Sequence, residues 1–130
     1  MIYRGHCHCE AVAFEVEAPE RFVAQDCNCS ICTKTGYIHL IVPKSRFCLL
    51  RGEDDLATYT FNTHVAKHKF CRTCGVKPFY IPRSNPDGVD VNVRCLDPMP
   101  ADYILEPFDG RDWERHGHEL AHLSKDSGII

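Results

Sequence analysis

The chain has 130 residues with a formal net charge of −3; 44% of them are hydrophobic and 25% charged. This is the range of foldable globular chains and lies outside the weakly hydrophobic, highly charged range of disordered ones. One core is what this length supports, so residues 1–130 are expected to form a single domain. The acidic balance lacks the basic excess of a phosphate-tracking surface, and no run reaches the roughly 18 apolar residues of a membrane span. The start, Met1-Ile2-Tyr3-Arg4-Gly5-His6-Cys7, carries no apolar signal segment, so the expectation is a cytoplasmic protein without a nucleic-acid or membrane partner.

In chain order, Val12, Phe14 and Val16 alternate with Ala13, Glu15 and Glu17, the period of a half-buried strand. Residues 37–42 are apolar on both faces and end at Pro43, as a strand covered on both sides would. Ala57, Tyr59 and Phe61 alternate with threonines, turn at Asn62-Thr63-His64, and return through residues 65–70 as a hairpin leading to Cys71. The run Gly52-Glu53-Asp54-Asp55 reads as a solvated loop. A short strand is expected over residues 79–81. After the turn Ser84-Asn85-Pro86-Asp87-Gly88, Val89, Val91, Val93 and Cys95 share one apolar face against Asp90, Asn92 and Arg94. Near the end, Trp113, Leu120 and Leu123 fall on one helical face with Asp109 or Asp112 as a candidate cap, although Gly117 weakens a helix there. The fold class is mainly β and antiparallel, with a possible short C-terminal helix.

Nine cysteines, an odd number, argue for metal thiolates over a disulfide framework in a reducing compartment. Seven are clustered: Cys7 and Cys9 as C-x-C; Cys27, Cys29 and Cys32 as C-x-C-x-x-C; Cys71 and Cys74 as C-x-x-C followed by Gly75. In a strand, residues i and i+2 share a face, so each C-x-C could aim both thiolates at one ion. The Cys71–Cys74 segment reads as a zinc knuckle, with Gly75 suited to its left-handed turn. Cys48 and Cys95 stand alone and read as small buried hydrophobes.

The seven divide most simply as four plus three, although spacing leaves other groupings open. Cys7, Cys9, Cys71 and Cys74 would close a structural zinc, a staple whose apparent binding energy in small peptides is on the order of 10–16 kcal/mol. Cys27, Cys29 and Cys32 would hold a second zinc with a vacant fourth position, the layout of a catalytic site. Three thiolates leave that centre net negative and a poor water activator, but an incoming thiol would complete the sulfur shell and stay nucleophilic towards a carbonyl carbon. The alternative is that both sites are structural, the second completed by a histidine or by Cys48. Among the eight histidines, His6, His8, His39 and His68 read as packed or surface residues, and His118 and His122 as adventitious.

Gly5-x-Cys7-x-Cys9-x-x-Val12, Cys27-Asn28-Cys29-Ser30-x-Cys32 and Phe70-Cys71-x-x-Cys74-Gly75 together resemble the glutathione-dependent formaldehyde-activating enzyme family, which includes centromere protein V. The likeness covers about residues 4–114. It is closer to the centromere protein V branch through Asp26-Cys27-Asn28-Cys29-Ser30-Ile31-Cys32, Ile41-Val42-Pro43, Tyr59-Thr60-Phe61-Asn62-Thr63-His64, Tyr80-Ile81-Pro82-Arg83-Ser84-Asn85-Pro86 and Cys95-Leu96-Asp97. The resemblance implies a β-tent type domain, a structural zinc on Cys7, Cys9, Cys71 and Cys74, and an exchangeable zinc on Cys27, Cys29 and Cys32. It also implies glutathione as the thiol, formaldehyde as the aldehyde, and carbon–sulfur lyase activity yielding S-hydroxymethylglutathione. Position 10 is glutamate where the family has glycine, which puts the local turn in question. Centromere protein V relatives carry long basic N-terminal extensions and this chain begins at the domain, so a chromatin role is not expected.

Two functions follow as expectations. One is a zinc enzyme that adds a small thiol, glutathione in particular, to an aldehyde or reverses that addition. The other is a zinc-stabilised protein-binding module.

Overall fold

The segments with strand periodicity form two sheets in this computed structural model, which describes residues 1–125. Residues 126–130, the end of the expected domain span, lie outside the described residues. The smaller sheet has the order β1 (Ile2–His6), β2 (Ala13–Glu17), β5 (Phe47–Arg51) and is antiparallel. The larger is a seven-stranded sheet built on β3 (Val23–Cys27), β4 (Ile38–Pro43), β6 (Leu56–Tyr59), β7 (Lys67–Cys71), β8 (Phe79–Ile81), β9 (Gly88–Asn92) and β10 (Ile104–Phe108), in the order β10-β3-β4-β9-β8-β7-β6. Its pairings are antiparallel except β10 with β3, which run parallel. The fold is mainly β, as expected, with this one parallel edge that the sequence pattern did not reveal.

Val12, Phe14 and Val16 are buried, as their alternation requires, and pack with Leu40, Val42, Phe79, Val91 and Val93 in a shared core. β4 is buried along its whole length because β3 and β9 flank it and both its faces are covered. Three expectations change. Residues 93–95 leave the sheet as a 3-10 turn, with the Asn92 side chain accepting from Arg94 N–H at 3.1 Å, so the strand ends before Cys95, which is nevertheless buried. The polar face of β9 is not solvated: Asp90 and Asn92 are buried with the valines. Cys48, expected to be buried, is exposed, because β5 is an edge strand that directs this side chain outwards.

After β10 the chain makes a 3-10 turn (Gly110–Asp112), one α-helical turn, α2 (Trp113–His116), and a further 3-10 stretch (Gly117–Ser124). The expected C-terminal helix is therefore short. Neither Asp109 nor Asp112 caps it by a side-chain hydrogen bond; Asp109 instead accepts from Asn28 Nδ2 at 3.0 Å. Gly117 packs directly on the Trp113 ring, where a Cβ would overlap ring carbons. No helix among the described residues is long and apolar enough to cross a membrane.

Candidate metal centres and cavity

Cys7, Cys9, Cys71 and Cys74 place their sulfurs within 4.8 Å of one another. Cys7 and Cys9 lie in the turn after β1, not in a strand as the i, i+2 argument supposed. That turn closes through Glu10 N–H to Cys7 C=O at 3.2 Å, with Glu10 at φ 66°, so glutamate takes the left-handed conformation for which glycine is the easy residue. The other pair comes from the end of β7, where Gly75 at φ 79° donates to Cys71 C=O at 2.7 Å and forms the expected knuckle. The Cys7–Cys9 and Cys9–Cys71 sulfur separations are 3.7 and 3.6 Å. Four sulfurs about 2.3 Å from one zinc in a tetrahedron lie about 3.8 Å apart, so this donor set fits zinc.

The second cluster forms where β3 ends and a short helix, α1 (Ser30–Thr35), begins. Cys29 is the N-cap of α1, its sulfur accepting Cys32 N–H at 3.4 Å, and Cys27 Sγ accepts Cys29 N–H at 3.5 Å. Hydrogen bonds from the Cys27 and Cys32 thiols hold the Cys29 thiol down, to about 2, while Cys27 is pushed up to about 11 and Cys32 is raised further. One thiolate shared among three sulfurs is a site prepared for a cation. The ligand atoms within 4.8 Å of one another here are those of Cys27, Cys32 and His39. His39 is indeed packed, as the sequence suggested, but its Nε2 lies 3.0 Å from Cys32 Sγ and its Nδ1 2.6 Å from Asp90 Oδ2. The sequence signal was present: His39 is the one polar residue in the apolar run 38–42. Cys48, the other candidate to complete this site, is exposed on the smaller sheet and does not join the group.

A cavity of about 540 Å³ opens beside this second cluster. Cys27, Cys29 and Cys32 line it; Cys7, Cys9, Cys71 and Cys74 do not. Its floor is one face of the larger sheet, and its cover is the chain after β10. Asn28, between the first two cysteines of this cluster, ties that cover down: its backbone N–H donates to Phe108 C=O at 3.3 Å, Nδ2 to Asp109, and its Oδ1 accepts Arg111 N–H at 2.9 Å. On the far rim, Arg83 pairs with Glu114 at 2.7 Å and stacks its guanidinium 3.7 Å from the Trp113 ring centre. His68 lines the floor between Phe61 and Tyr80, stacked on both rings.

The family described as glutathione-dependent formaldehyde-activating enzyme matches residues 2–108. A protein of Halomonas elongata named "Putative glutathione-dependent formaldehyde-activating enzyme" is 30% identical over 82 residues, 57% of this chain and 52% of that protein. The chain thus spans about half the length of this curated relative. A crystal structure of a Rhodobacter sphaeroides protein is similar at 37% identity with a TM-score of 0.65, covering 77% of this chain and 98% of that one.

Proposed function

Because the chain belongs to the glutathione-dependent formaldehyde-activating enzyme family, we propose that it is a zinc-dependent carbon–sulfur lyase joining a small thiol, glutathione in particular, to an aldehyde such as formaldehyde, or reversing that step. The observation that carries this reading is the division of labour between the cysteine clusters: only Cys27, Cys29 and Cys32 line the cavity. Cys7, Cys9, Cys71 and Cys74 would hold a structural zinc, and Cys27, Cys29 and Cys32 a second, exchangeable one. Zinc at the second site would lower the pKa of an entering thiol while leaving its sulfur nucleophilic.

The remaining tasks fall to the chain itself. Overall, the thiol sulfur bonds to the aldehyde carbon, the carbonyl π pair moves to oxygen, and that oxygen takes up the proton the thiol releases. His39 donates Nδ1–H to the buried Asp90 carboxylate, so Nε2 presents its lone pair beside the cysteines and can carry that proton. The covering segment after β10 limits water in the cavity. Within the family, the Asp26–Cys32 and Tyr80–Pro86 motifs support the centromere protein V branch.

A second reading rests on His39 itself. The ligand atoms of Cys27, Cys32 and His39 lie within 4.8 Å of one another, and with His39 as a ligand the second site would be structural, leaving a zinc-stabilised binding module. Native mass spectrometry of zinc-loaded protein with glutathione, followed by carbon-13 formaldehyde NMR, separates the two. Two zincs, one labile and accompanied by bound glutathione, with a hydroxymethyl adduct forming faster than in buffer, support the enzyme. Two equally tight zincs with no thiol adduct at millimolar glutathione support the module.

A further inference from the structure

Lys77 is a buried cation that no carboxylate touches among the described residues. It is 7% exposed, and the hydrogen bond its ammonium makes goes to His68 Nδ1, 2.5 Å away. The faces of Tyr37 and Tyr80 complete its surroundings, with ring centres 4.8 and 3.8 Å from Nζ. Burying a charge without a countercharge in contact is costly, so an ammonium held here points to what it does for His68.

An ammonium has donors and no acceptor, so Nδ1 of His68 must accept. The ring is neutral, since burial lowers its pKa to about 4, and its proton therefore sits on Nε2. Phe61 and Tyr80 stack on its two faces, 5.4 and 4.7 Å between ring centres, which fixes the plane of the imidazole. His68 is 4% exposed and lines the cavity. Among the described residues its Nε2 has no hydrogen-bond partner, and it is not one of the unpartnered side-chain atoms closed off from solvent. That nitrogen therefore opens to the cavity. Cys29 lines the same cavity and is close enough for its charge to act on both His68 and Lys77. A neutral N–H held in one orientation, with an ammonium behind the ring, is a donor made for an oxygen that gains negative charge.

We propose that His68 holds the carbonyl oxygen of the aldehyde through Nε2–H, and that Lys77 is the residue that positions this donor by fixing the tautomer. This rests on the reading of the cavity as the place where a thiol adds to an aldehyde. In that step the sulfur bonds to the carbonyl carbon, the π pair moves to oxygen, and the oxygen takes the proton the thiol released by way of His39. His68 stabilises the oxygen by its hydrogen bond and neither gains nor loses a proton.

One readout is independent of turnover. Nitrogen-15 NMR of the zinc-loaded protein should place the His68 proton on Nε2, and formamide, a carbonyl compound that does not add thiols, should shift that N–H resonance. The second readout is the rate of adduct formation from glutathione and carbon-13 formaldehyde. His68→Phe, which keeps an aromatic ring between Phe61 and Tyr80, should lower kcat about a hundredfold, with KM for glutathione, zinc content and thermal midpoint retained. His68→Gln, which returns an N–H, should recover part of that loss. Lys77→Met should lower kcat and spread the His68 proton over both ring nitrogens, a change that a merely structural role would not produce. Should His68→Phe fail to fold, the formamide shift in the wild type decides. A proton on Nδ1 in the wild type, or no shift with formamide, overturns the proposal. Wild-type kcat in a folded His68→Phe also overturns it and leaves the thiol-addition reading standing. A formamide shift at Nε2 with no adduct formation above the buffer rate keeps the carbonyl site and sinks the thiol-addition reading.

Discussion

Gly110 crosses the Cys27 sulfur so closely that no side chain fits between them: a Cβ on Gly110 would overlap Cys27 Sγ and come within 3.0 Å of Cys29 Cβ. The chain after β10 can therefore close over the cysteine loop only because this residue is glycine. Its backbone there, unlike that of Gly75, is not in the left-handed region. Gly110→Ala is expected to lift the cover, costing about 1–3 kcal/mol as other overpacked sites do. Hydrogen exchange would rise over residues 109–124 and the second cluster would lose zinc affinity. Unchanged protection over that segment would show that the cover does not depend on this contact.

The two cysteine clusters should fail differently. Cys74→Ser removes a ligand that joins the turn after β1 to the end of β7, and it is expected to cost several kcal/mol, enough to lose the cooperative thermal transition. Cys29→Ser leaves the core untouched and is expected to shift the thermal midpoint by only a few degrees while abolishing glutathione retention. Zinc counted by native mass spectrometry beside a thermal melt checks both. Equal loss of fold in the two variants would favour the closed, structural second site.

Glu10 occupies a left-handed conformation, at φ 66°, that costs a non-glycine residue about 1 kcal/mol. Its backbone carbonyl accepts from Arg51 Nε at 3.0 Å, a bond that survives substitution. Among the described residues its carboxylate meets only His6, at 3.9 Å and exposed. Glu10→Gly is therefore expected to raise stability by about 0.5–1 kcal/mol in urea denaturation. A destabilised variant would mean that the carboxylate contributes more than the strain removes.

Lys77 gives the fold a pH dependence of definite sign. Burial lowers its pKa to about 8 against the pull of Asp90, Cys32 and Cys29, and its ammonium lies 3.8 Å from the Tyr80 ring centre. Between about 8 and the unfolded value near 10.5 the unfolded chain binds more protons, so this residue's contribution to stability rises with pH through that window. The gain is on the order of 1–3 kcal/mol. The stability difference between Lys77→Met and wild type, measured by denaturation at pH 7.5 and at pH 10, should move in the wild type's favour at the higher pH. A constant difference would mean that Lys77 titrates as a solvated lysine.

The sequence by itself determined what depends on near neighbours along the chain. The period of Val12, Phe14 and Val16, the apolar run of β4, the hairpin delivering Cys71 and the Gly75 knuckle are local, because side-chain direction and turn geometry repeat within a few residues. The two sets of cysteine positions were legible for the same reason. Only the tertiary structure decided what surrounds them. His39, Asp90 and Gln25 meet through the register of β3, β4 and β9, and register is set by contacts between distant segments. Asn28 and Gly110 likewise acquire their roles only once β10 lies parallel to β3 and brings residues 109–111 over the Cys27–Cys32 loop. Period-2 reading assigns Asp90 to a polar, wet face. That face is buried because His39 of β4, Tyr80 of β8 and the Lys77–Pro78 segment pack against it, and no local pattern around β9 encodes what will be laid across it.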